Sequence, residues 1–300
     1  MSDAPHHSKR LDRDFYSCGL HCAGWLFLPE GVERPPLVVM AHGLAAQRDF
    51  RLPAFAEAFA SKGIASFAFD YRNFGDSEGE PRNLVSPRRH LADWMAAVNH
   101  ARSLPEVDGS RLALWGSSFS GGHVLVTASR VHGLRAAVAQ VPFVDGATVG
   151  LSFPPRFVAQ ASSHAACGLA LAAVGIGPHY VPVVADPGDF AAMNTPGSKE
   201  GYLALVPEGS DWRNEMPARA LLTLLAYRPV RYAPRIKCPT LVVCADKDSL
   251  VRASDVEKAA RRIPQVELVR LPVGHFDVYS GEWFEKVSAL EADFLRRHLE

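Results

Sequence analysis

The chain reads as an α/β protein, a mainly parallel sheet with helices on both faces and an inserted, mostly helical cap. Three observations predict this. Strand-like apolar runs alternate with helical segments in the first half and again near the end. The runs are continuously apolar, as in Pro36–Ala41, which marks strands covered on both faces. One run, Leu112-Ala113-Leu114, leads directly into Trp115-Gly116-Ser117-Ser118-Phe119-Ser120-Gly121-Gly122. A glycine-rich turn of this kind lifts a serine clear of the sheet edge.

Each element follows in order. Residues 10–28 alternate well enough for two antiparallel strands around Cys18 and Cys22. Pro36–Ala41 is the first core strand. Leu52–Ala60 has helical periodicity and stops at Lys62-Gly63. Residues 64–71 form the next strand. Residues 86–104 form a long amphipathic helix, with Ser86 as N-cap and Pro87 in its first turn. Strand 111–115, the serine turn, a helix over 123–128 and strand 136–141 complete the first half. The alternation resumes with strand Thr240–Ala245, a helix over 254–262, strand Val266–Leu271 and a closing helix, Gly281–Leu299. Residues 144–238 do not fit it and are too many for a bare loop. Apolar helical stretches at 157–174 and 218–227, broken by glycine and proline, identify them as a cap over the sheet's C-terminal edge. Residues 1–143 and 239–300 form the core.

The serine turn makes a demand on the rest of the chain. A serine hydroxyl is a poor nucleophile at neutral pH. It needs an imidazole to take its proton and a carboxylate to hold that imidazole's tautomer. Both partners arrive at later strand ends: Asp246-Lys247-Asp248 after Thr240–Ala245, and Gly274-His275 after Val266–Leu271. The reading assigns Ser118 as nucleophile, His275 as base then acid, and Asp248 as orienter. After Pro36–Ala41 comes His42-Gly43-Leu44. The backbone N–H of Leu44, with that of Phe119, forms the expected oxyanion hole.

These segments resemble the α/β-hydrolases over residues 10–299. They are similar to dienelactone-hydrolase-like and serine-aminopeptidase-like hydrolases, and to the polyketide transferase branch. The segments that carry the likeness are Ala41–Leu44, Asp70-Tyr71-Arg72-Asn73-Phe74-Gly75-Asp76-Ser77, Gly116–Gly122, Cys238–Val251 and Gly274-His275-Phe276-Asp277. The resemblance implies a serine esterase or thioesterase that works through an acyl-serine and needs no cofactor or metal. Acyl transfer, or peptide or carbon–carbon bond hydrolysis, would use the same triad. A catalytically silent binding module is the reading from another class. Two departures stand. Ser120 replaces the second glycine of G-x-S-x-G, which leaves Ser120 as a rival nucleophile. Ala245 replaces a common glycine before the acid, which leaves Asp246 as a rival to Asp248.

Other residues have plainer readings. Ser117 and Ser120 suit elbow and helix-cap hydroxyls. His42 suits a buried, hydrogen-bonded imidazole in a turn, and His123 a packing residue. Asp70, Arg72 and Asp76 suit a salt-bridged turn. The His6-His7 pair has no spaced partners and is not a metal site. Phe153, Phe157, His179, Tyr180, Phe190, Tyr202 and Trp212 either wall a pocket or hold the cap to the core. With 48% hydrophobic and 21% charged residues, the composition is that of a globular protein. Thirty-two basic and 32 acidic residues favour neither nucleic acid nor an anionic membrane. The apolar stretch 165–176 is too short to span a bilayer. Residues 1–10 are polar and lack an apolar signal core, so the expected location is cytoplasmic and the expected partner a small acyl ester or thioester. The five cysteines are an odd number and are expected as reduced thiols, although Cys18 and Cys22 flank a hairpin that a disulfide could close. Oligomeric state is not legible.

Overall fold

The computed structural model describes residues 7–300; most of the polar opening, including His6, lies outside them. One sheet of eight strands organises the chain. Its strands in chain order are β1 (Ser8–Asp12), β2 (Gly24–Pro29), β3 (Pro36–Ala41), β4 (Ala65–Phe69), β5 (Asp108–Ser117), β6 (Leu134–Gln140), β7 (Thr240–Ala245) and β8 (Val266–Leu271). They lie in the order β1-β2-β4-β3-β5-β6-β7-β8. β1 and β2 are antiparallel to their neighbours, and every pairing from β4 to β8 is parallel.

The continuous apolar runs are explained by what covers them. Along β3, Leu37, Val39 and Ala41 enter one hydrophobic cluster, and Val38 and Met40 enter the other. Helices α1 (Leu52–Ala60) and α9 (Gly281–Leu299) cover the second face through Phe55, Phe59, Phe294 and Leu295. Helices α2 (Pro87–Ser103), α3 (Phe119–Ala128) and α8 (Ala253–Ala260) cover the first through Trp94, Leu125 and Val256. Each such fully buried side chain contributes roughly 1.5–3 kcal/mol.

Register sets up the site. Ala41 pairs with Gly116, Ser117 with Gln140, and Ala245 with Leu271. The loops that follow β3, β5, β7 and β8 therefore leave the sheet at one edge. Between β6 and β7 the chain forms helices α4 (Gly146–Ser152), α5 (Pro155–Ala173), α6 (Ser198–Leu203) and α7 (Ala220–Ala226), with a two-stranded ribbon of Tyr180–Val181 and Met216–Pro217.

The opening segment holds more strands than its pattern predicts. Phe15–Ser17 and Leu20–Cys22 form a separate hairpin, while β1 and β2 join the main sheet. Cys18 sits in the hairpin turn and Cys22 pairs across from Phe15, so the two are not opposed; all five cysteines are free. Ser86 stands at the N-cap of α2, but its hydroxyl makes no cap bond; its backbone N–H instead donates to His90 Nε2 at 3.5 Å. Among the described residues no helix is long and apolar enough to cross a membrane.

Candidate active site

The serine turn is built from close backbone approaches. A Cβ on Gly116 would lie 2.7 Å from the carbonyl oxygen of Ser120, so only glycine fits where β5 turns into α3. Ser118 follows with φ 56° and ψ −119°, a backbone that L-residues rarely adopt. Its surroundings hold it there. The Ser118 N–H donates to Gln140 O at 2.9 Å, and its carbonyl accepts from Phe143 N at 2.8 Å and Gly122 N at 3.2 Å. The close approach that the second glycine of the pattern usually serves falls here on Gly122, whose added Cβ would meet Phe143 O at 2.3 Å. The side chain at position 120 fits because Gly116 has none: a Cβ there would also lie 2.8 Å from Ser120 Oγ.

Three side chains from three loops meet at this turn. The Ser118 hydroxyl donates to His275 Nε2 at 2.9 Å, and His275 Nδ1–H donates to Asp248 Oδ2 at 2.6 Å. The other Asp248 oxygen accepts from the N–H groups of Leu250 at 2.7 Å and Val251 at 2.9 Å. His275 and Asp248 are almost fully enclosed. The carboxylate fixes the proton on Nδ1 and leaves Nε2 bare to accept from the serine.

The rivals stand elsewhere. Ser120 is buried with its Oγ 3.1 Å from the Tyr71 hydroxyl. Asp246 is partly exposed and accepts from Arg270 Nε at 2.8 Å. Ser117 does not cap a helix. Its Oγ accepts from Gln140 Nε2 at 2.8 Å and lies 2.5 Å from the Tyr279 hydroxyl.

Leu44 and Phe119 both line the cavity beside Ser118. Phe119 is the first residue of α3, where backbone N–H groups lack intrahelical partners. A Cβ on Gly43 would stand 3.3 Å from Ser118 Cβ, so the loop carrying Leu44 passes directly over the serine. The segment between β6 and β7 pins this loop. Tyr202 Oη–H donates to Leu44 O at 2.9 Å, and Trp212 Nε1–H to Ala45 O at 2.8 Å. The aromatic residues of the segment thus divide their work. Tyr202 and Trp212 hold the loop, whereas Phe153 and Phe157 line the cavity and stack at 4.3 Å. Phe190 meets Phe157 at a tilt of 32° and stacks on His164, and His164 stacks on His179.

His42 is enclosed beneath the same loop. Burial lowers its pKa to about 4, so it is a neutral imidazole, with Nδ1–H donating to Gly43 O at 3.1 Å. Asp70 is bound by Arg48 through both its backbone N–H and its guanidinium, and Arg48 also donates to Asp76 at 2.6 Å. Arg72 Nε donates to buried Asp93 at 2.5 Å. The polar loop after β4 is therefore a scaffold, completed by Arg48 and Asp93, which no local pattern announces. His123, also buried, lies 3.2 Å from His90 and 2.7 Å from the Tyr227 hydroxyl, and burial lowers its pKa to about 3.

Ser118 and His275 open into a cavity of about 730 Å³. Its wall is mostly apolar: Phe143, Val149, Phe157, Leu221 and Leu224 stand around a few polar groups. That size and lining suit a small organic ligand. A second cavity of about 30 Å³ touches the same two side chains from the side of His42, Phe50 and Tyr202.

A mainly parallel sheet in this strand order, with a strained serine, an aspartate and a histidine on the loops after β5, β7 and β8, defines a serine hydrolase of the α/β-hydrolase fold. The chain belongs to the family described as serine aminopeptidase, S33, whose model matches residues 33–273. It is 40% identical over 287 residues to the quorum-quenching protein AidA of Acinetobacter baumannii, covering 96% of this chain and 94% of that one. It is 29% identical to the polyketide transferase af380 of Aspergillus fumigatus, covering 97% of this chain and 99% of that one. Among solved structures, the α/β hydrolase GrgF from Penicillium superposes with a TM-score of 0.84 at 27% identity, covering 97% and 99% of the two chains.

Proposed function

We propose that this chain hydrolyses a carboxylic ester or thioester through an acyl-serine formed on Ser118. One observation carries this reading: a serine–imidazole–carboxylate chain with links of 2.9 and 2.6 Å at the floor of a largely apolar cavity. Ser118 Oγ attacks the acyl carbonyl while His275 Nε2 takes its proton. Asp248 holds the Nδ1 proton and stabilises the imidazolium. The backbone N–H groups of Leu44 and Phe119 receive the oxyanion, each worth about 3 kcal/mol to the transition state. His275 then gives its proton to the leaving alcohol or thiol. A water gives its proton to Nε2 as its oxygen attacks the acyl-serine, and the acid departs as the serine recovers the proton.

The apolar wall supports a mainly apolar acyl group. We assign residues 144–238 as a cap domain on a core of residues 1–143 and 239–300, because Phe153, Phe157, Leu221 and Leu224 roof the cavity above Ser118. Equal numbers of acidic and basic residues support a small-molecule partner over nucleic acid or an anionic membrane. Five free thiols support a cytoplasmic location.

A fluorophosphonate probe tests the assignment. Wild-type protein should label and Ser118→Ala should not, while Ser120→Ala should still label. Labelling that survives Ser118→Ala and is lost in Ser120→Ala would move the nucleophile by two residues. Transfer of the acyl group to an alcohol or amine is the second reading, favoured by the name of the Aspergillus relative. Product partition with added alcohol separates the two.

A further inference from the structure

The relay described above spans loops that are distant along the chain, and one buried contact joins the nucleophile's loop to the base's loop without touching the reacting atoms. Ser117 precedes the nucleophile, and its Oγ lies 2.5 Å from the Tyr279 hydroxyl. Tyr279 ends the short helix Asp277–Tyr279, four residues after His275. That stretch is stiff. Asp277 Oδ2 accepts from Gly274 N–H at 2.7 Å, and Tyr279 N–H donates to Phe276 O at 3.2 Å. The Tyr279 backbone is held as well, where Arg51 Nε donates to its carbonyl at 2.8 Å, and Phe55 meets its ring edge-on at 6.4 Å. Gln140, which pairs with Ser117 in the sheet, donates to the same Ser117 oxygen at 2.8 Å. Ser117, Gln140 and Tyr279 are all buried.

We propose that Tyr279 is a positioning residue: its hydroxyl, bonded to Ser117, sets the separation between Ser118 Oγ and His275 Nε2. This rests on the reading of Ser118 and His275 as nucleophile and base. The geometry gives the tether its leverage. One of its ends is a direct neighbour of Ser118, and the other is on the rigid turn that carries His275. Ser117 and Tyr279 border only the small cavity of about 30 Å³, which has no room for an acyl chain, and not the large apolar one, so the tether acts on the chemical step rather than on binding of the acyl group. A displacement of about 1 Å between reacting groups costs on the order of 10²-fold in rate.

The test is a double-mutant cycle with Tyr279→Phe and Ser117→Ala, reading kcat, KM, fluorophosphonate labelling rate and Tm. Tyr279→Phe keeps the ring in place and removes only the hydroxyl. It should lower kcat and the labelling rate together by about 10- to 100-fold, with KM within about twofold of wild type. Ser117→Ala should give a similar loss, and the double variant should be no slower than the worse single variant. If Tyr279→Phe does not fold, Ser117→Ala reads the same contact from its other end. Wild-type rates in the single variants, losses that multiply in the double variant, or a lowered Tm with unchanged kcat would overturn the proposal. Failure of the underlying reading is distinct: the Ser118→Ala variant would then still label.

Discussion

Replacing Asp248 by asparagine perturbs the relay at its least ambiguous point. Asp248 Oδ1 accepts from two backbone N–H groups, those of Leu250 at 2.7 Å and Val251 at 2.9 Å, while Oδ2 faces His275 Nδ1 at 2.6 Å. In the amide the oxygen must take the Oδ1 place, because an NH2 there would face two donors. The NH2 then faces Nδ1, which can only accept from it. The ring proton moves to Nε2, and Nε2–H no longer takes the Ser118 proton. The amide matches the carboxylate in shape, so the cavity and KM should change little. We expect kcat to fall by about 10⁴-fold, about 5 kcal/mol of lost transition-state stabilisation. The assay is steady-state hydrolysis of a p-nitrophenyl ester, with circular dichroism to establish that the variant is folded. Asp246→Asn is the parallel control, since it breaks only a partly exposed ion pair with Arg270 and should be nearly silent. A loss of under about tenfold at position 248, or a larger loss at 246 than at 248, would refute the assignment.

Two further outcomes are expected. Burial raises the Glu291 carboxyl to about 8, and one of its oxygens accepts from Trp115 Nε1 at 2.8 Å. An acid whose pKa is raised on folding costs nothing while the unfolded chain is also protonated. The cost begins as pH climbs past about 4.5 and grows until about 8, reaching at most about 5 kcal/mol. Urea unfolding should therefore show Glu291→Gln gaining on the wild type between about pH 5 and pH 8; a gap that does not change with pH contradicts it. Phe157→Ala removes one wall of the cavity, and the ratio of kcat/KM for longer over shorter acyl esters should rise by about tenfold. An unchanged ratio would mean that the acyl group lies elsewhere.

Much of this was legible before any coordinates, for identifiable reasons. Pro36–Ala41 and Thr240–Ala245 occupy their predicted limits because a strand covered on both faces is buried along its whole length, and polar or turn residues bound each run; Val266–Leu271 also keeps its limits, but as the edge strand, with Glu267 and Arg270 exposed. Ser118, Asp248 and His275 could be picked out because loops leaving one edge of a parallel sheet hold residues that are far apart along the chain. Three kinds of feature escaped. The outer arrangement of the opening strands depends on which partner each finds, and local alternation carries no such information. The helices Gly146–Ser152 and Ser198–Leu203 are too short to show a period. Buried polar partners such as Arg48, Asp93 and Tyr279 are joined by tertiary contacts alone: Arg48 meets Asp70 across 22 residues and Tyr279 meets Ser117 across 162. Ser86 and Ser117 show the converse, since each has the residue type of a cap while its polar atoms serve a buried neighbour instead.

The central claim is that the Ser118 hydroxyl carries the acyl group between the two halves of the reaction. Peptide mapping by mass spectrometry, after an acid quench of enzyme turning over a slow ester, tests it at the bond itself. The account predicts one added acyl mass, on the peptide containing Ser118 and localised to that residue. An acyl group found on Ser120 or on a cysteine, or turnover with no acylated peptide under conditions that trap a burst of product, would contradict it.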